Sequence, residues 1–205
     1  MEHIDPELVT RAAGGDPAAF ESLVKTYEKS VYTLALRLSR NREDAFDLSQ
    51  EIFLRVFRSL PGFKGQAAFS TWLYRLAYNI CLDHARKTGR RREQPLTKPT
   101  EDGSEQPMEW PDLRYSPEQQ WEKKELRTAV AKAMERLTPD QRAILTLREI
   151  QNFSYDEIAA VLNLPPGTVK SRLARAREAL REILISKGNF FESKPSKPTK
   201  GGESP

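Results

Sequence analysis

Along residues 17–38, apolar side chains recur three and four apart: Phe20, Leu23, Val24, Tyr27, Val31, Leu34, Ala35 and Leu38. That is the period of a helix with one buried face. Asp16-Pro17 marks its start, a capping carboxylate followed by proline at the first helical position, where a missing N–H costs nothing. The pattern predicts a core helix to about Ser39, after a short lead-in over 1–15 that Gly14-Gly15 closes. A second long helix is predicted over 41–60, with Phe46, Phe53, Phe57 and Leu60 on one side and Ile52 and Val56 beside them. Asp44, Asp47, Gln50 and Glu51 form an acidic patch elsewhere on it, which on its own reads as a solvated face.

Pro61-Gly62 breaks that helix, and the next run, 63–92, has an unusual mixture. Phe63, Phe69, Trp72, Tyr74 and Tyr78 alternate with Lys64, Arg75 and Asn79, and the run ends in Arg86, Lys87, Arg90, Arg91 and Arg92. Two readings stay open. Exposed rings stack on unpaired bases at roughly 1–3 kcal/mol each while cations track the backbone, so the run suits a single nucleic-acid strand. Leu73, Leu76, Ala77, Ile80 and Leu82 share the helix, however, and from composition alone the rings are better read as core.

Periodicity then stops. Residues 93–118 hold five prolines and seven carboxylates against Lys98 and Arg114, which reads as an extended acidic linker. It resumes with Trp121, Leu126, Ala129, Val130, Ala133, Met134 and Leu137. Thr138-Pro139-Asp140-Gln141 opens another helix with a capping box, whose apolar set is Ile144, Leu145, Leu147 and Ile150. Beyond Ser186 the tail is rich in Lys, Pro, Ser and Gly and reads as disordered.

The most informative stretch is 154–181. Ser154 and Glu157 make a capping box for a helix faced by Ile158, Ala159, Val161 and Leu162. Asn163-Leu164-Pro165-Pro166-Gly167 breaks it, with Gly167 tolerating unusual dihedrals, and Thr168 caps or opens a second helix. There Val169, Leu173, Ala176 and Leu180 form the buried stripe, while Lys170, Arg172, Arg175, Arg177 and Arg181 take much of the remaining surface. A helix packed by one stripe and cationic elsewhere, behind a capped helix and a tight turn, is a helix-turn-helix suited to the DNA major groove.

Charge changes the picture little: 30% of residues are charged and the formal net charge is +4, so placement matters more than total. A single cysteine, Cys81, excludes an internal disulfide and falls in an apolar helical pattern, a buried small side chain rather than a reactive thiol. His3 and His84 have no ligand cluster near them, so neither a metal nor a cofactor is expected. No nucleophile–base pair or phosphate loop points to an enzyme. The first residues lack a signal-peptide core and no run is long and apolar enough to span a membrane, so a cytoplasmic protein is expected.

Three motifs occur in order: 44–57 (DAFDLSQEIFLRVF), 63–79 (FKGQAAFSTWLYRLAYN) and 137–181. Together they resemble the small two-domain extracytoplasmic-function sigma factors of bacterial RNA polymerase. The resemblance implies an all-α fold: a sigma-2-like domain at 1–92, a flexible acidic linker at 93–118, a sigma-4-like helix-turn-helix domain at 119–186 and a tail at 187–205. It implies that Asp47, Gln50 and Glu51 dock on the clamp helices of the polymerase's largest subunit, and that the C-terminal domain meets the flap of the second-largest. Residues Lys64, Trp72, Tyr74, Arg75, Asn79, Lys87, Arg90, Arg91 and Arg92 would bind the −10 element as melted strand, with Asn79 contacting a base. Thr168, Lys170, Ser171, Arg172, Arg175 and Arg177 would bind the −35 element as duplex. Ala174 stands where other members carry larger side chains, which leaves the −35 bases open. Core RNA polymerase, promoter DNA and an anti-sigma factor are the implied partners. Two other readings remain: a stand-alone helix-turn-helix regulator of duplex operators, and an inhibited paralogue that binds mainly proteins.

Overall fold

A computed structural model describes residues 5–92 and 117–186, with side chains at 5–88 and 125–186. These residues form eight α-helices: α1 Pro6–Ala13, α2 Pro17–Ser39, α3 Arg42–Ser59, α4 Phe69–Arg92, α5 Pro117–Glu135, α6 Pro139–Leu145, α7 Tyr155–Leu162 and α8 Pro166–Ser186. The linker expected over 93–118 lies outside the described residues except for Pro117 and Glu118, which begin α5. The tail expected over 187–205 lies outside them as well.

Helix starts follow the local chemistry of the sequence. Asp16 accepts from the amides of Ala18 and Ala19 at 2.9 and 3.1 Å and also binds Arg11 at 2.6 Å. Asn41 caps α3 through the amides of Glu43 and Asp44. Both expected capping boxes form, Thr138 with Gln141 and Ser154 with Glu157. Each satisfies amides that a helix start otherwise leaves unpaired.

In the N-terminal module α2 packs on α3 and α4, with Val31, Leu34, Ala35, Ile52, Leu73 and Ala77 fully buried between them. The face α3 buries differs from the expected one. Ala45, Leu48, Ile52 and Val56 are inside, whereas Phe46 and Phe57 are each 56% exposed. The helix carries two adjacent apolar stripes, and α2 and α4 together cover one of them. Cys81 is buried, as its pattern suggested, and burial pushes its thiol up to about 12.

In the C-terminal module α6 ends at Leu145 and the chain continues as a π-helical turn over Thr146–Ile150. The wider turn breaks the 3.6-residue register. Leu147 stays fully buried, but Ile150, expected inside, is 43% exposed. The turn between α7 and α8 also departs from expectation. Its left-handed residue is Asn163 (φ 52°), not Gly167, which lies within α8. Pro166, which needs no N–H partner, starts α8 two residues ahead of Thr168. Thr168 caps nothing; its hydroxyl donates to the Pro165 carbonyl at 2.7 Å.

Candidate nucleic-acid and polymerase interfaces

Three surfaces carry the residues singled out by sequence. The first is α8, packed on α5, α6 and α7 through Val169, Leu173 and Ala176, which are 1% exposed or less. That stripe fixes the helix and turns Lys170, Ser171, Arg172 and Arg175 to solvent. Among the described residues, no ion pair or hydrogen bond engages the side chains of Lys170, Arg172 or Arg175. Thr168 is half-buried at the start of the helix. Arg177 differs: its Nη2 and Nε both donate to Glu149 Oε1, at 2.6 and 3.0 Å. Its charge is already answered inside the module, which ties α8 to the π-helical turn. Arg181 pairs with Glu178 at 3.1 Å.

The second surface lies on α3. Asp47, Gln50 and Glu51 are exposed and share the helix with a feature the sequence reading missed. Phe20, Val24, Phe46, Phe53, Leu54 and Phe57 line an open groove of about 520 Å³, and Gln50 lies in its wall. Phe20 meets Phe57 edge to face at 5.1 Å. A contiguous apolar patch rimmed by charge is the composition of a protein-binding site. The available signal was two apolar stripes on a helix that can bury only one.

The third surface is α4 with the loop before it. Lys64, Arg75, Asn79, Arg86 and Lys87 are exposed. Arg90, Arg91 and Arg92 belong to α4 by backbone, but their side chains lie outside the described residues. Trp72 is half-buried against Phe63 (5.1 Å) and Phe69 (5.8 Å). Tyr74, expected to sit near the strand, and its neighbour Tyr78 are only 2% and 7% exposed. What covers them is the C-terminal module. Tyr74 Oη donates to Gln151 Oε1 at 2.9 Å and its ring meets Phe153 edge to face at 4.8 Å. Tyr78 Oη donates to Asp140 Oδ1 at 3.0 Å. Burial raises both phenols above their ordinary range, and for Tyr78 the Asp140 carboxylate adds to the shift. The rings are core as composition suggested, but part of that core lies between modules.

Among the described residues, no group of three His, Cys, Asp or Glu could hold a metal ion, and no helix is long and apolar enough to cross a membrane.

Residues 23–91 match the family described as Sigma-70 region 2, and residues 127–180 match Sigma-70, region 4. The first segment takes in most of α2, α3 and nearly all of α4, and the second runs from within α5 into α8, so together they span most of the three surfaces. RNA polymerase sigma-H factor of Pseudomonas aeruginosa is 38% identical over 181 residues, 88% of this chain and 93% of the relative. The ECF RNA polymerase sigma-E factor of Escherichia coli K12 is 38% identical over 176 residues, 86% of this chain and 92% of its own length. In fold, the chain resembles CnrH in complex with the cytosolic domain of CnrY (TM-score 0.62, 23% identity, 88% of this chain and 97% of that one). It also resembles RpoE from Bartonella quintana in complex with the anti-sigma factor NepR (TM-score 0.61, 24% identity, 81% and 96% covered). With both sigma-70 regions matched in order and relatives at this identity over most of its length, this chain belongs to the extracytoplasmic-function sigma factors of bacterial RNA polymerase.

Proposed function

We propose that this sigma factor reads its promoter in two physical states while core RNA polymerase, in the cytoplasm, holds its modules in register. The C-terminal module grips the −35 element as closed duplex, and the N-terminal module holds the −10 element as separated strand. The observation that carries this reading is the placement of charge on α8. Lys170, Arg172 and Arg175 face solvent on a helix whose opposite stripe is locked into the module. Such a helix enters a major groove without unfolding anything, and its cations displace counterions from phosphate. Arg177, held by Glu149, serves chiefly to orient α8.

No bond is made or broken by this chain. Unpairing and unstacking cost a few kcal/mol per base. Asn79 contacts a base of the opened strand, and Lys64, Arg75, Lys87 and Arg90–Arg92 hold its phosphates. The α3 surface is the polymerase-docking face, with Asp47, Gln50 and Glu51 as its polar rim and the Phe46–Leu54–Phe57 groove as its apolar centre, seated on the clamp helices. The C-terminal module meets the flap, and an anti-sigma protein is a further partner, as it is for the Bartonella relative in fold. A stand-alone duplex regulator would leave the α3 surface without a role and is not favoured by the region 2 match.

Transcription from a promoter library with core enzyme tests the assignments. Arg175→Ala is expected to cost about 1–3 kcal/mol at one −35 position; equal loss across all −35 variants would make it a phosphate contact instead. Asn79→Ala is expected to change the preferred −10 base. An unaltered preference removes Asn79 from base reading.

A further inference from the structure

Asp83 is the one carboxylate in the sequence of α4, whose other charged residues are all arginine or lysine. It does not lie apart from them. A helix turns about 100° per residue, so Arg75, Asn79, Asp83 and Arg86 fall within one quarter of its circumference. All four are exposed. Asp83 stands one turn beyond Asn79, about 6 Å along the axis.

Among the described residues the ion-pair partner of Asp83 is Arg86, three positions on, at 3.8 Å, with the carboxylate 68% exposed and the guanidinium 67%. That separation is too long for a hydrogen bond, and exposed pairs of this kind add little to stability. Elsewhere the protein orients its arginines through shorter contacts: Arg177 on Glu149 at 2.6 Å, Arg181 on Glu178 at 3.1 Å and Arg11 on Asp16 at 2.6 Å. Asp83 therefore neither holds the fold nor fixes Arg86.

On a surface that meets nucleic acid, a carboxylate carries a penalty. It repels every phosphate alike and cancels part of the counterion release that neighbouring cations provide. A carboxylate only accepts, so what it can gain there must come from N–H groups. On a separated strand the bases offer their pairing edges. Guanine presents N1–H and N2–H side by side, a match for the two oxygens of a carboxylate. Cytosine and adenine each present one amino group beside an acceptor nitrogen, and thymine flanks its single N–H with two carbonyls. A carboxylate in this place favours guanine and disfavours thymine.

Resting on the reading that α4 holds the −10 strand, we propose that Asp83 is a second base-reading residue of that helix and selects guanine close to the base that Asn79 contacts. Stacked bases along one strand are about 3.4 Å apart, so an offset of about 6 Å along α4 sets the two readings one or two bases apart. Arg86, which no hydrogen bond to Asp83 restrains, stays available to a phosphate beside that base.

The test is transcription by core polymerase with this chain from promoters randomised across the −10 element, comparing the parent with Asp83→Ala, Asp83→Asn and Asn79→Ala. The parent is expected to prefer guanine at one position within two bases of the position that Asn79→Ala alters. Asp83→Ala is expected to lose about tenfold of that preference and to leave the other positions unchanged. Asp83→Asn keeps the shape and adds an amide donor, so it is expected to move the preference toward adenine or cytosine, whose edges pair a donor with an acceptor. Circular dichroism of each variant checks that it is folded. A uniform gain across all sequences in Asp83→Ala overturns the proposal, since it marks the carboxylate as repulsion of phosphate alone. A uniform loss overturns it as well, marking Asp83 as a support for Arg86. So does an altered position at which the parent prefers any base but guanine. If Asn79→Ala shifts a −10 preference while neither Asp83 variant does, Asp83 alone loses its role. If no variant shifts any −10 position, the assignment of α4 to the −10 strand fails with it.

Discussion

Reversing Asp47 and Glu51 to lysine together is expected to abolish assembly with core polymerase and leave the protein folded. Both side chains are exposed on α3, and no hydrogen bond or ion pair among the described residues holds either one. Their replacement removes no internal partner, so the stability change should stay within about 0.5 kcal/mol, as for surface sites elsewhere. At an interface the same change acts twice, deleting two attractive charges and inserting two repulsive ones, and like charges facing each other cost several kcal/mol. Native gel or size-exclusion analysis with core enzyme measures the loss, and a melting curve of the free protein supplies the control. Normal assembly by a folded double variant would return this patch to simple solvation. The apolar groove beside it would then need another partner.

Phe153→Ala is expected to destabilise the C-terminal module by about 3–5 kcal/mol. The ring is fully buried, and the surrounding backbone is fixed twice. Its amide donates to the Leu147 carbonyl at 2.9 Å, and its carbonyl accepts from Arg148 at 2.8 Å. That geometry leaves little freedom to collapse into the space vacated, which places the cost at the upper end for a core truncation. Part of the loss belongs to the pair with Tyr74, worth about 0.5–1.5 kcal/mol beyond burial. Urea unfolding followed by circular dichroism reads the change, with a lowered midpoint and an unchanged slope. A loss below about 1 kcal/mol would show that the ring is not enclosed in solution. Tyr74→Phe keeps the ring pair and removes the hydroxyl with its bonds to Gln151 and Ser30, so it separates the ring's contribution from the hydroxyl's.

Both predictions rest on features legible to different degrees in the chain. Helix starts were legible because capping is local: Asp16-Pro17, Asn41 and the boxes at Thr138 and Ser154 each act within four residues. The buried stripe of α8 was legible for the same reason, since Val169, Leu173 and Ala176 recur on a single helical period. From these the all-α class, the helix-turn-helix and the exposed cationic face of α8 follow.

Other features depend on neighbours remote in sequence. Which apolar stripe of α3 is buried depends on where α2 and α4 lie, so Phe46 and Phe57 emerged as groove wall rather than core. The π-helical turn moved Ile150 outward by breaking a register that periodicity assumes to be constant. The burial of Tyr74 and Tyr78 joins residues 77 and 62 positions apart, across a segment with no period to follow. Local rules report what a residue can do within a turn or two. Long-range packing alone decides which of two apolar faces is covered, and what covers it.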